Sequence, residues 1–329
     1  MGARIMLRVR LLHNRMRIII ALVLLLPGGL TAATGAHWTV VNQPTRLVNG
    51  TPVLFEVTTP TPVRALSGSW LGHEITFSFE GTDKLSDHKT LTNKSIDKSS
   101  THKSWFALAG VSLETKPGTY PLELHADISS DQSNGTSAEQ TISFQRKIRI
   151  EQQRYPRVEL KVPTRYTAPS AEDQREIEKG KEIKAEVFKN VSDVREWEGS
   201  FSAPVNAEIS DLFGVERVFN GSVQSRHEGL DFRVPSGTTV EAVNSGRIIL
   251  AQPLFFEGNC VVIDHGQGLL TLYLHLSKFL VKEGDDVTKG QPIGLSGGTG
   301  RATGPHLHLA VRWQGVYLNP QVLLGMKPP

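Results

Sequence analysis

The stretch "GPHLHLAVRWQGVYLNP", residues 304–320, sets two histidines one residue apart inside an apolar run. His306 and His308 flank Leu307, and Leu309 and Val311 follow. Alternation at period two marks a half-buried strand and puts both imidazoles on one face, about 7 Å apart along the backbone. Packing alone would favour Val or Ile at such positions. The paired rings therefore point to chemistry. "WQGV" offers a tight hairpin into "VYLNP", with Gly315 able to take the positive φ that such a turn uses.

Working back along the chain, strand-like runs recur: "TVEAVNSGRIILAQ" (239–252), "NCVVIDHG" (259–266) and "LLTLYLHLS" (269–277). The last contributes His275 to an apolar alternation. Residues 198–329 thus read as an antiparallel, glycine-rich, almost all-β unit. Within it, "SRHEGLDFRVPSG" (225–237) offers His227 and Asp231. On a straight strand, residues four apart stand about 13 Å from each other, too far to share an ion. Gly229 permits a sharp bend between them, while Pro235 and its β-branched neighbours argue against a helix.

His227, Asp231 and one of the late histidines would make a zinc site with its fourth position open. Zinc takes imidazole nitrogen and carboxylate oxygen at about 2.0–2.2 Å, and a catalytic site keeps one place for water. Two neutral imidazoles and one carboxylate leave a net positive charge, which lowers the pKa of a bound water toward about 7. A histidine outside the ligand set could then handle protons.

Residues 37–162 read as short strands between turns, an immunoglobulin-like β-sandwich. "TYPLELHADI" alternates Leu122, Leu124, Ala126 and Ile128 on one face, and "KIRIEQ" and "RVELKV" alternate likewise. "GTDKLSDHKTLTNKSIDKSSTHKS" (81–104) reads as an exposed loop or hairpin, and His73, His88, His102 and His125 show no ligand spacing. Residues 163–197 form a linker in which "SAEDQREIEKGKEIKAEVFK" favours a helix, with Ser170 as N-cap. That helix reads most simply as solvated. A sharper alternative lays it across the C-terminal unit, restricting access.

Residues 1–36 have the anatomy of a secretory signal: a basic start, the apolar "IIIALVLLLPGGL" and small residues before Ala33 and Ala36. The apolar run is short for a bilayer span, which needs about 20 residues. Cleavage is expected; an uncleaved leader would tether the protein transiently to the membrane. The five arginines of this segment exceed the whole formal charge of +3 in the 329-residue chain. The basic pI therefore belongs to the leader, and no nucleic-acid partner is expected. Cys260, the single cysteine, rules out an intrachain disulfide framework and reads as a small buried hydrophobe. An exported protein of the periplasm or cell envelope, or a secreted one, is the expectation.

Four segments, "SRHEGLDFRVPSGTTVEAVNSGRI", "GNCVVIDHGQGLLTLYLHLS", "VKEGDDVTKGQPIGLSGGTGRATGPHLHLAV" and "LNP", resemble the LytM/lysostaphin-type zinc metallopeptidases. The resemblance covers roughly residues 199–325. It implies hydrolysis of peptide bonds in peptidoglycan, in stem peptides or cross-links, by a water on Zn2+. It also implies that His227, Asp231 and His308 are the zinc ligands and that His275 and His306 are the catalytic histidines. One of that pair would act as general base and the other would steady the oxyanion, with the assignment open. Asp264 and His265 match a family motif yet read as structural, and Glu228 reads as surface.

Two other classes compete. A non-catalytic LytM-type regulator of a wall amidase, with a regulatory protein partner, would typically have lost ligands, and here the full set stands. "VKEGDDVTKGQPIG" resembles the hairpin of biotinyl and lipoyl carriers, but the modifiable lysine of a Met-Lys-Met setting is missing. A zinc endopeptidase acting on murein is the reading that absorbs most of these residues.

Overall fold

The run "WFALAG" (105–110) is apolar at every position, the pattern of a strand covered on both faces. The computed structural model, which describes residues 38–59, 63–79, 104–130, 138–189, 191–221 and 223–329, buries all six residues. The leader (1–36) and residues 80–103, with most of the polar tract, His88 and His102, lie outside the described residues.

The first nine strands are β1 (Thr39–Gln43), β2 (Leu47–Val48), β3 (Pro52–Thr58), β4 (Ala65–Trp70), β5 (His73–Thr76), β6 (Ser78–Phe79), β7 (Trp105–Gly110), β8 (Gly118–Ser130) and β9 (Ala138–Glu151). They make two sheets, ordered β1-β3-β7-β6 and β2-β9-β8-β4-β5. The alternation expected on β8 holds, with Leu122, Leu124 and Ala126 buried between exposed neighbours. Across the sandwich the Trp70 indole meets Phe55 edge-on and donates to the Gly110 carbonyl at 2.9 Å.

β10 (Arg157–Leu160), the "RVELKV" strand, leaves the sandwich. It pairs in parallel with β12 (Glu216–Phe219), which pairs with β13 (Val223–Arg226). Its alternation was legible, but its partner lies about sixty residues on. Helix α1 (Ala171–Val187) starts at the expected Ser170, whose hydroxyl accepts from Asp173 N while the Asp173 carboxylate accepts from Ser170 N. The helix is docked, not solvated all round. Gly180 faces Leu254, and Ile183, Val187 and Phe188 cover a core of Leu250, Leu254, Cys260, Val262, Leu270 and Leu272.

The remaining strands are β11 (Ile209–Asp211), β14 (Leu230–Phe232), β15 (Thr239–Glu241), β16 (Gly246–Leu254), β17 (Gly258–Asp264), β18 (Leu269–Leu276), β19 (Lys278–Phe279), β20 (Asp286–Val287), β21 (Pro292–Leu295), β22 (Leu307–Trp313) and β23 (Val316–Leu318), followed by α2 (Pro320–Leu324). The main sheet runs β11-β14-β22-β18-β17-β16-β20, with β23 on β22, and β15-β21-β19 form a smaller one. Gln314 and Gly315 both take positive φ, so β22 and β23 are joined by the expected tight turn. The described chain is thus nearly all-β.

The sandwich and the C-terminal sheet share one hydrophobic core. Phe106 packs on Trp197, His73 packs on Trp313, and Gly110 lies against Leu318. Gln314 donates to the Glu74 carbonyl, and Asn319 N donates to Gly50 O, both at 2.8 Å. This explains the two-faced burial of β7.

Candidate metal centre

Three neighbouring strands bring the candidate residues together. Asp231 on β14 lies directly opposite His308 on β22, and His308 lies opposite Leu274 on β18. His227 comes from the bend between β13 and β14, so the His-x-x-x-Asp spacing does not span a straight strand. The bend forms at Gly229, for a reason other than φ. A Cβ there would stand 2.3 Å from His308 Nε2 and 2.6 Å from Leu309 O, so only glycine lets the bend lie against β22.

His227, Asp231 and His308 are buried, and their donor atoms converge. His227 Nε2 is 3.0 Å from Asp231 Oδ1 and 3.0 Å from His308 Nδ1, and the last two are 2.8 Å apart. His227 Nδ1–H donates to the Leu212 carbonyl at 2.7 Å, which leaves a lone pair on Nε2. That lone pair faces a carboxylate oxygen. The two repel unless a proton or a cation sits between them. The donor set, two imidazole nitrogens and one carboxylate oxygen, suits zinc.

The carboxylate is held from behind. Arg217 Nη2 donates to Asp231 Oδ2 at 2.7 Å, and Arg217 Nε donates to Asp211 Oδ2 at 3.1 Å. Burial would raise the Asp231 pKa, but the His227 and His308 side chains outweigh it and hold the group well below the carboxylate range. Burial pushes His308 down to about 4 against the pull of Asp231, so the ring is neutral and able to ligate at neutral pH.

His275 and His306 join the same site. Their rings are 4.8 Å apart, and His306 Nε2 is 3.8 Å from Asp231 Oδ1. His275 Nδ1–H donates to Thr299 O and His306 Nδ1–H to Gly304 O, each at 2.8 Å. Both rings therefore present a bare Nε2. Simple alternation on β18 would align His275 with Tyr273, which is wholly buried and hydrogen-bonded by Val243 N. Instead Tyr273 pairs with Val261 and Leu276 with Asn259, so two residues oppose Cys260 and a bulge forms. His275 sits in that bulge with φ 65°, lining the cleft beside Leu274. Burial, then the charges of His308 and His306, push its pKa down to about 3.

The remaining candidates lie outside this cluster of donor atoms. His265 is buried between Ser245 O and Thr271 Oγ1, and Asp264 accepts from Ser192 N and Gly266 N, both structural as expected. Cys260 is buried, and burial raises its thiol. Glu228 is exposed, at the cleft rim. His73 packs on Trp313, and His125 bonds Ser143. Sequence reasoning missed Arg217, because its partner Asp231 is fourteen residues away on another strand. The cleft, about 630 Å³, is also lined by β10 residues Val158 and Leu160 and by Lys184 of α1.

Residues 225–320 match the family model described as Peptidase family M23. These residues are an M23 peptidase domain. The M23 match contains His227, Asp231, His275, His306 and His308. Peptidoglycan DD-endopeptidase ShyA of Vibrio cholerae is 50% identical over 93 residues, 28% of this chain and 22% of the relative. DD-carboxypeptidase/endopeptidase Mpg of Neisseria meningitidis is 46% identical over 94 residues, 29% of this chain and 22% of the relative. The chain thus spans under a quarter of the length of either curated relative. Beyond the M23 domain, a crystal structure of a candidate M23 peptidase from Pseudomonas aeruginosa superposes with TM-score 0.59 at 25% identity. It covers 87% of this chain and 96% of that one.

Proposed function

We propose that the protein is a zinc-dependent endopeptidase that hydrolyses peptide bonds of peptidoglycan in the cell envelope. The observation that carries this reading is the convergence of His227 Nε2, Asp231 Oδ1 and His308 Nδ1 within 3.0 Å of one another, with one lone pair set against a carboxylate. In this reading those three residues hold the metal. When bound, zinc supplies Lewis acidity for the scissile carbonyl and lowers the pKa of a water toward about 7.

The rest falls to the chain. Arg217 fixes Asp231 through Oδ2 and leaves Oδ1 to the metal. His275 and His306, each with Nε2 bare, divide two tasks: taking the proton of the attacking water and supporting the oxygen that becomes negative. The cleft running past them receives the peptide in an extended form. The relative named as a peptidoglycan DD-endopeptidase supports murein as the substrate class. Residues 1–36 would direct export, and among the described residues no helix is long and apolar enough to cross a membrane.

The test uses protein from residue 38 onward and purified sacculi, with released fragments identified by mass spectrometry. About one zinc per chain is expected. His308→Ala should lose both metal and hydrolysis, whereas His306→Ala should keep metal and lose turnover. Equal cutting by metal-free protein would overturn the mechanism.

A further inference from the structure

Among the described residues, two cations that line the cleft, the exposed Arg233 and the half-buried Arg301, form no ion pair. Arg217 is paired with Asp211 and Asp231, and Arg226 with Glu216 and Glu114. Lys184 is paired with Glu257. Arg301 lines the same cleft as His306, yet among the described residues its guanidinium makes no hydrogen bond and meets no carboxylate. It is half-buried, with Cζ 4.6 Å from the Phe219 ring centroid and 4.7 Å from that of Phe256. Stacked rings cover the faces of a guanidinium and leave its N–H edge, a planar fork that matches a carboxylate. Burial, then the charge of Arg217, press its pKa below the ordinary arginine value, against the opposing charges of Glu257 and Tyr166.

The mount is rigid. Arg301 N donates to Phe256 O at 2.8 Å, and the Tyr166 hydroxyl donates to Gly300 O at 2.6 Å. Gly300, at φ 72°, packs so closely on the β16–β17 turn that a Cβ would stand 2.3 Å from Gly258 N. An unpaired, partly desolvated cation held this firmly is unfavourable in the free protein. It is favourable when an anion arrives.

We propose that Arg301 is a specificity-determining residue that binds a free carboxylate of the peptide in the cleft. This rests on the peptidase reading for its ligand class, a peptidoglycan stem peptide. Such a peptide carries carboxylates on a side chain and at its C-terminus. Amidation of the recognised one would remove the charge and one acceptor.

Calorimetric binding to the full zinc-loaded protein decides it, with three probes: a free-acid stem tetrapeptide, its side-chain amide and its C-terminal amide. The free acid should bind at least about tenfold tighter than one of the amides, and that amide names the carboxylate. Arg301→Gln should erase the preference. Should that variant fail to fold, Arg301→Lys, which keeps charge without the fork, should reduce it. Equal binding of all three probes by the unaltered protein, or a preference that survives in Arg301→Gln, overturns the proposal. A purely structural Arg301 would shift melting temperature and leave the ratio unchanged. Because the readout is binding, a failure to hydrolyse sacculi would sink the peptidase reading separately.

Discussion

Arg217 and Asp231 meet through Nη2 and Oδ2 at 2.7 Å, while the other carboxylate oxygen, Oδ1, faces His227 and His308. The arginine thus decides which oxygen is free and how the carboxylate is turned. Asp231 also loses part of its basicity to that bond, a cost accepted for orientation. Arg217→Met should leave the sheet intact and weaken zinc binding by about ten- to a hundredfold. Competition against a chromophoric chelator measures it. Unchanged affinity would reduce Arg217 to a strut between Asp211 and β14.

His275 shows the backbone serving the site. Its φ of 65° costs a side-chain-bearing residue about 1–2 kcal/mol, which glycine would not pay. His275→Gly and His275→Ala should both be inactive, since both lack the imidazole. The glycine variant should nevertheless unfold at higher denaturant than the alanine variant, by about 1 kcal/mol. The reverse order would mean that the bulge relaxes once the ring is gone.

How much of this was legible beforehand depends on how local each feature is. The N-cap at Ser170, the β22–β23 turn and the alternation of β8 are set by residues within a few positions of one another, and all were readable. Long-range partners were not. Nothing in "RVELKV" announces pairing with Glu216–Phe219, and Arg217 carries no local mark of its bond to Asp231. His275 was named as a site residue, but alternation alone could not give its direction, because a bulge opposite Cys260 shifts the side-chain period by one. Gly229 was read as a source of conformational freedom, when its role is close approach to His308.

His265 gives a pH dependence independent of the metal. Burial, opposed by its bond to Ser245 O, pushes its pKa from 6.5 to about 4. Between those values the unfolded chain holds the extra proton, so stability is complete above about 6.5 and is lost as pH falls toward 4. The loss from this one group is about 3 kcal/mol. His265→Gln lacks the titration, although it sacrifices packing and hydrogen bonds. Urea unfolding of the two metal-depleted proteins should therefore show the gap between them narrowing as pH falls from about 7 to about 4.5. A gap that stays constant would mean that His265 takes up its proton alike in the folded and unfolded states.

The sandwich and the peptidase sheet should unfold together, since β7 is covered on one side by Trp70 and on the other by Trp197, Trp313 and Leu318. A Cβ on Gly110 would stand 2.7 Å from Leu318 Cδ2 and 3.2 Å from Trp313 Cε3, at the seam between them. Gly110→Val drives a wedge there and should cost about 1–3 kcal/mol of overpacking. Scanning calorimetry of the unaltered chain should give one transition, and the variant should give one at lower temperature. If the variant split the trace in two, with the later transition unmoved and zinc still bound, the shared core would be dispensable to the metal centre. The sandwich would then be a passenger on the peptidase, not part of its folding unit.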